Sequence, residues 1–403
     1  MDIDRTGART ARRFGHSEDQ MRLMAKIARM YHERGMRQSQ IADELHVSQP
    51  RVSRLLKRAG EVGIVRTTIA LPAGVHTDLE EALEERYGLG EAVVVDIGGA
   101  DEDVNPGLGA ATAVYLETTL TGGDTVGISS WSATLLAAVE SMRPARTAVV
   151  DTVVQVVGGI GDPRVQMQAT RLIGLFASGT GANPVFMPAP GMLGTAAARD
   201  SLVADPTVSG VMDIWPALTM VLVGIGSLEP SPLLRESGNA LAAADQAVLR
   251  EAGAVGDICL RFFDASGAPV RSAVDDRVIG IDPDALRRVP RRVGVAGGTR
   301  KHSAIRAALL GDWVNVLITD VDEARRLLDE LVMQSPEYAD AHDLLACVAV
   351  EQGDFAAALT AFRQAANLTP GCLLRMQHLG ALAFYQGQKG EAVQQLERAL
   401  ALG

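Results

Sequence analysis

The pattern of apolar residues predicts an α/β chain in three parts: a small helical module, a central domain on a parallel sheet, and a C-terminal set of paired helices. Three observations carry this. Short Val/Ile runs ending in Gly or Ser alternate with helical stretches through the middle of the chain. The first 66 residues hold 14 Lys and Arg against 8 Asp and Glu, whereas the remainder holds 24 against 41, so a basic module is joined to an acidic body. Residues 328–403 repeat apolar and small residues with a period of 34.

A chain of 403 residues that is 47% hydrophobic and 22% charged can bury sizeable cores in two or three domains. The net charge of −11 is misleading about nucleic acid, because the positive charge is concentrated in a module of its own. No run of 18 apolar residues occurs and the N-terminus lacks the apolar core of a signal peptide, so a cytoplasmic protein without membrane association is expected. Residues 1–20 are expected to form a disordered, basic-leaning arm. Cys259, Cys347 and Cys372 make no C-x-x-C pair and adjoin no His cluster, which argues against disulfides and zinc. No cofactor is expected.

In the basic module, residues 21–34 place Leu23, Ile27, Met30 and Tyr31 on one helical face. Ile41, Ala42, Leu45, Val47, Val52, Leu55 and Leu56 then fit two short helices broken at His46 and Val47. Ser48 is placed to cap the second of these, and Pro50 suits its opening turn, where a missing N–H costs nothing. Its outer face carries Gln49, Arg51, Ser53, Arg54, Lys57 and Arg58, groups that read base edges and grip phosphates. The segment resembles a helix-turn-helix with "SQPRVSRLLKRA" as recognition helix and "GIVRTTIALP" as a wing strand. His46 stands where such turns usually hold Gly.

Beyond it, "DLEEALEERYGL", residues 78–89, is a charged amphipathic helix suited to a linker or dimer contact. The runs "EAVVVDI", "DTVGISS", "TAVVDTVVQVVGG", "TMVLVGIGS", "DRVIGI", "RRVGVAGG" and "WVNVLITD" are expected as buried parallel strands. Ligands bind at the carboxyl ends of such strands. Three of those ends suit an anion: the hydroxyls of Ser129, Ser130, Ser132 and Thr134 at a helix start, the close turn from Gly224 to Ser227, and "AGGTRK" with Lys301. None has the spacing of a nucleotide-binding fingerprint.

Taken in order, "VGISSWSATL", "VVQVVGGIGDP", "PAPG", "LVGIGSLEPSPLL", "GAVGDICLRFFDASG", "VGVAGGTRKHSAIRAAL" and "VNVLITDVDEA" resemble the sugar-binding domain of SorC/DeoR-type transcriptional regulators. The segment "YHERGMRQSQIADELHVSQPRVSRLL" resembles that family's helix-turn-helix, and together the motifs span about four-fifths of the chain. The resemblance implies a Rossmann-like sensor domain similar in fold to sugar-phosphate isomerases, a phosphorylated sugar as effector, and homodimers or homotetramers on a double-stranded DNA operator. It implies that Ser129, Ser130, Trp131 and Ser132, with Lys301, form the phosphate end of a pocket, and that Gln166, Gly226 and Asp257 recognise hydroxyls. Trp131 fits a core aromatic as well as a pocket wall, and Asp257 a turn cap as well as a hydroxyl partner.

An isomerase-type enzyme with a DNA-binding arm is the alternative. It needs a general base paired with a second catalytic group. Asp257, Asp264 and Glu229 are available carboxylates, but no second group is paired with them in the sequence, and a shared fold does not carry activity with it.

At the C-terminus Leu345, Gly353, Ala358, Phe362 and Ala365 recur 34 positions on as Leu379, Gly387, Ala392, Leu396 and Ala399. This resembles the tetratricopeptide repeat, with Ala324, Leu328 and Pro336 of the preceding helix as a half repeat. Pro370 is placed to end a second helix, and the last helix is expected to leave an apolar edge needing cover. Such a segment implies a protein partner or a contact within the assembly, and a recruiting scaffold is a third reading. The expected domains are 21–70, winged helix-turn-helix; 71–327, effector domain; and 328–403, helical repeats.

Overall fold

The computed structural model describes residues 18–62, 64–65, 75–97, 103–229, 231–239, 241–334, 339–351, 353–370 and 372–402. The chain separates into two units, Met1–Pro72 and Ala73–Gly403.

The first unit holds α1 (Glu18–His32), α2 (Gln38–Glu44) and α3 (Gln49–Glu61). Helical periodicity sends Met24, Ile27, Ala28 and Met30, Ile41 and Ala42, and Val52, Leu55 and Ala59 into one core. Tyr31 does not join them: it is 39% exposed and lies edge-on to His32, since a phenol in the last helical turn keeps its hydroxyl in water more cheaply than in an apolar core. Met24 fills that stripe instead. Between α2 and α3, His46 adopts φ 52°, and the N–H groups of Val47 and His46 bond the carbonyls of Ala42 and Asp43, a Schellman closure. Ser48 occupies the N-cap position of α3, but contrary to expectation its hydroxyl makes no capping bond; its backbone carbonyl receives Arg51 and Val52. The expected arm and wing lie outside the described residues, except that α1 already begins at Glu18 and that Ile64 and Val65 form a bend.

The second unit opens with α4 (Thr77–Tyr87) and continues through β1 (Glu91–Val95), α5 (Asn105–Thr119), β2 (Asp124–Ile128), α6 (Ala133–Ser141), β3 (Val150–Gln155), α7 (Pro163–Thr180) and β4 (Asn183–Val185). Helices α8 (Ala196–Val203) and α9 (Pro206–Met212) lead to β5 (Met220–Gly224) and β6 (Gly226–Ser227). Then follow α10 (Pro232–Glu236), α11 (Ala243–Glu251), β7 (Ala254–Ile258), β8 (Arg261–Asp264) and α12 (Pro283–Arg287). β9 (Arg291–Val295), a 3-10 turn at Thr299–Lys301, α13 (His302–Leu310), β10 (Val316–Asp320) and α14 (Val321–Gln334) complete the α/β body.

Seven strands form one parallel sheet in the order β1-β10-β9-β5-β2-β3-β4. Alternate residues serve opposite faces: Met220 and Leu222 of β5 enter one core, Val221 and Val223 the other. Burial on both faces is why these strands show as continuous apolar runs. One expected strand is absent from the sheet. "DRVIGI" makes only isolated bridges, Val278 with Met192 and Gly280 with Val157, and so ties loops together. The antiparallel sheet β6-β7-β8 lies outside the expected pattern because its strands are two to five residues long and interrupted by polar groups.

Helix α4, expected as a linker or dimer contact, packs on the sheet domain. Leu79 and Leu83 are buried, while Glu80 and Glu84 accept the N–H groups of Val94 and Ala92 at 2.9 and 2.8 Å. Two of its acids thus satisfy donors on the edge strand β1, which an uncovered edge would offer to other chains.

The sheet domain passes into four helices, α15 (Ala339–Glu351), α16 (Phe355–Leu368), α17 (Leu373–Tyr385) and α18 (Lys389–Leu402), with α15 packed on α14. α17 and α18 begin 34 residues after α15 and α16. Equivalent positions match in kind: Gly353 and Gly387 have φ 75° and 73°, and Ala358 and Ala392 are 0% and 1% exposed.

Candidate functional site

In the parallel sheet the chain turns back on itself between β2 and β5. β2 leads outward to β3 and β4, whereas β5 leads to β9 and β10 on the other side. The carboxyl ends of β2 and β5 mark the switch point of the strand order, the place at which such sheets hold ligands in a crevice. Ser129 bridges it: its N–H bonds Leu222 O at 3.1 Å and its Oγ accepts Gly224 N–H at 3.3 Å. Ser132 caps α6, accepting Leu135 N–H at 3.2 Å, and its Oγ stands 3.1 Å from where a Cβ on Gly224 would lie. Both hydroxyls act as acceptors in these bonds, and a hydroxyl that accepts can still donate its proton.

Four of the sequence-derived candidates are committed to partners within the protein. Ser130 Oγ donates to Val157 O at 3.2 Å, and Trp131 Nε1 donates to Gly158 O at 2.8 Å with its ring 8% exposed beside Ala169 and Leu233. Gln166 spends both ends of its amide on the loop after β3, donating to Gly159 O at 2.7 Å and accepting Gly161 N–H at 2.6 Å. Thr134 donates to Asn105 Oδ1. Asn239, which the sequence reading missed, holds the same loop from another side: Nδ2 donates to Ile160 O at 3.0 Å and Oδ1 accepts Gly191 N–H at 2.7 Å. No local pattern around Asn239 announces this, because its partners are 48 and 79 residues away.

On the other side of the crevice, Gly226 pairs with Asp257 across β6 and β7, and a Cβ on Gly226 would lie 2.1 Å from Asp257 Oδ1. Only glycine admits that carboxylate. Asp257 Oδ2 accepts Leu260 N–H at 3.0 Å, closing a hairpin whose tip residues, Cys259 and Leu260, have φ 54° and 62°. Burial pushes the Asp257 carboxyl up to about 6, against the Leu260 bond and the charge of Lys301, which favour its ionised form. Burial likewise lowers the Lys301 ammonium, opposed by Asp257. The 3-10 turn that carries Lys301 packs against β6, the strand that pairs with β7 at Asp257.

The double glycine before Lys301 has a different use from the anion cradle its composition suggests. Gly298, at φ 83°, donates its N–H to Asp320 Oδ2 at 2.7 Å, and a Cβ on Gly297 would lie 2.2 Å from that oxygen. The anion cradled is the protein's own carboxylate.

In the first unit, Ser48, Gln49, Pro50, Arg51, Ser53, Arg54, Lys57 and Arg58 are all exposed along one side of α3, opposite Val52, Leu55 and Ala59. Arg54 Nε donates to Pro50 O at 3.3 Å, which holds its guanidinium along the helix.

Residues 72–329 match the family described as "Putative sugar-binding domain", and residues 16–64 match a homeodomain-like domain. The deoxyribonucleoside regulator of Bacillus subtilis is 36% identical over 318 residues, 78% of this chain and 99% of the relative. The sorbitol operon regulator of Klebsiella pneumoniae is 30% identical over 320 residues, 77% of this chain and 99% of that one. The crystal structure of full-length SorC from Klebsiella pneumoniae aligns with a TM-score of 0.57 and 28% identity, covering 77% of this chain and 99% of the other. Fold, site and comparisons define a class, transcriptional regulators that join a helix-turn-helix to an α/β ligand-binding domain. Within it, the chain belongs to the SorC/DeoR-type sugar-binding regulators. Among the described residues no helix is long and apolar enough to cross a membrane.

Proposed function

We propose that this chain controls transcription of genes of carbohydrate metabolism by binding a double-stranded operator with an affinity set by a phosphorylated sugar in the crevice between β2 and β5. The observation that carries this is the gathering of Ser129, Ser132, Asp257 and Lys301 at the carboxyl pole of the sheet in a chain that also presents a basic helix-turn-helix. In this reading the anionic end of the ligand lies against Ser129, Ser132 and Lys301, with Ser130 and Trp131 as wall. Its hydroxyls face Gly226 and Asp257, while Gln166 stiffens the adjoining loop. The ligand acts only through its different affinity for the two states of the regulator.

At the DNA end, residues 48–58 enter the major groove. Gln49 and Arg51 read bases, Arg54, Lys57 and Arg58 hold phosphates, and Ser48, Pro50 and Ser53 line the same face. A homodimer or homotetramer sets two such helices on half-sites about one helical turn or a multiple apart. The equivalence of α15–α16 with α17–α18 supports a tetratricopeptide-like segment that contacts a protein or another subunit. Domains at 21–70, 71–327 and 328–403, a cytoplasmic setting and no catalytic step complete this reading.

A thermal-shift panel of phosphorylated and free sugars tests it. A cognate sugar at about 100 times its Kd stabilises the chain by about 2.7 kcal/mol, and the same sugar alters operator binding in fluorescence anisotropy. Lys301→Ala is expected to abolish both effects. Turnover of a phosphosugar by the purified protein would favour the isomerase-type alternative instead.

A further inference from the structure

We propose that the buried acidic pair Asp320 and Glu323, at the junction of β10 and α14, positions Lys301 by gripping the chain on both sides of it. This rests on the reading of Lys301 as the anion anchor. Asp320 takes the leading side: its Oδ2 holds Gly298 N–H at 2.7 Å, and Gly298 O in turn receives Lys301 N–H at 3.0 Å. Glu323 takes the trailing side: its Oε1 lies 2.9 Å from Nδ1 of His302, the residue after Lys301. Asp320 and Glu323 are 2% and 1% exposed.

The sequence "DVDE", residues 320–323, has the spacing of a capping box, in which the acid three residues into a helix turns back to the N-cap backbone. Here only half of that box forms. Asp320 Oδ1 accepts Glu323 N–H at 2.9 Å, but the Glu323 carboxylate is diverted to His302. Its Oε2 is buried without a hydrogen-bond partner among the described residues, and burial raises its pKa against the pull of His302. A strong acceptor has been drawn away from the ordinary cap to a site where one of its oxygens goes unsatisfied. What it gains there is a fixed His302, and hence a fixed backbone at Lys301.

The geometry makes the anchor part of α14. Both grips stand at the first turn of that helix, so a shift of α14 against β9 moves Lys301 with it. Because α15 packs on α14, the Lys301 turn and the C-terminal helices both adjoin one helix.

The test uses the full chain and inorganic phosphate as probe. His302→Ala is expected to weaken phosphate binding about tenfold, with the melting temperature of the unliganded protein within about 2 °C of the parent. His302→Asn, whose amide N–H falls near the place of Nδ1, restores binding to within about threefold of the parent. Glu323→Gln keeps an acceptor and behaves as the parent, whereas Glu323→Ala behaves as His302→Ala. If Lys301→Ala loses phosphate while His302→Ala and Glu323→Ala retain it, the positioning role is overturned and the pocket reading stands. A loss in His302→Ala that His302→Asn does not restore also overturns it. If the parent and Lys301→Ala respond alike, the pocket reading itself falls, and the clamp with it.

Discussion

Asp257 serves two structures at once. It closes the hairpin tip at Cys259 and Leu260, and its ionised form is favoured by the charge of Lys301. A bound anion favours the protonated carboxyl, because protonation removes a neighbouring negative charge and releases Lys301 to the ligand. Anion binding therefore takes up a proton and strengthens as pH falls through about 6. Sulfate, whose own charge is constant over this range, is expected to bind up to about tenfold more tightly at pH about 5 than at about 7.5. Asp257→Asn should flatten that profile in a calorimetric titration; an unchanged slope would place the titrating group elsewhere. The stability linkage follows from the same shift: a carboxyl raised in the folded state contributes stability that is present at low pH and lost as pH rises through about 6. Lys301 was singled out from residue type and strand-end position, Asp257 through the family resemblance. Asp320, Glu323, His302 and Asn239 were not singled out, because their partners come from distant loops or, for Glu323, replace the local cap its spacing suggests.

Helix α3 shows how much a local motif can announce. The apolar spacing, Pro50 in the first turn and the basic exposed face all follow from periodicity and backbone chemistry, and α2 and α3 break where the pattern breaks. Arg51→Ala is expected to cost about 1–3 kcal/mol of operator binding and to relax preference at one base position, whereas Lys57→Ala lowers the slope of log K against log salt by about 0.9. Anisotropy titrations over a salt series separate the two, and equal effects of both variants on cognate and unrelated DNA would remove Arg51 from base reading. The capping bond expected of Ser48 does not form. Its hydroxyl is left exposed on the face that carries the arginines. For α4 the charge pattern alone could not say which acids meet solvent. Glu80 and Glu84 are drawn to β1 because edge-strand donors need partners that only the assembled sheet puts within reach.

At the scale of the whole molecule, the α/β body is complete at α14, and the family match ends at residue 329 within that helix. A chain ending after Gln334 is therefore expected to retain its phosphosugar-induced thermal shift and its ligand-sensitive operator binding. Loss of the shift on truncation, with secondary structure retained by circular dichroism, would make α15–α18 part of the sensing domain. The expected boundary at 327/328 falls within α14, a helix that closes the sheet and also packs on α15.

By itself the sequence determined the order of a helical module, an α/β body and a closing run of helices, the basic helix with its exposed Gln49, Arg51, Arg54, Lys57 and Arg58, the parallel strands and the 34-residue equivalence of the last four helices. All of these depend on period, composition or neighbours within a few residues, and such information is local. Tertiary structure alone decided which polar groups at the crevice are spent on partners within the protein. Ser130, Trp131 and Gln166 bond inward, Ser129 and Ser132 accept backbone N–H groups, and the glycines before Lys301 enclose Asp320. Hydrogen-bond capacity is finite, and who uses it depends on which loops the sheet order brings together.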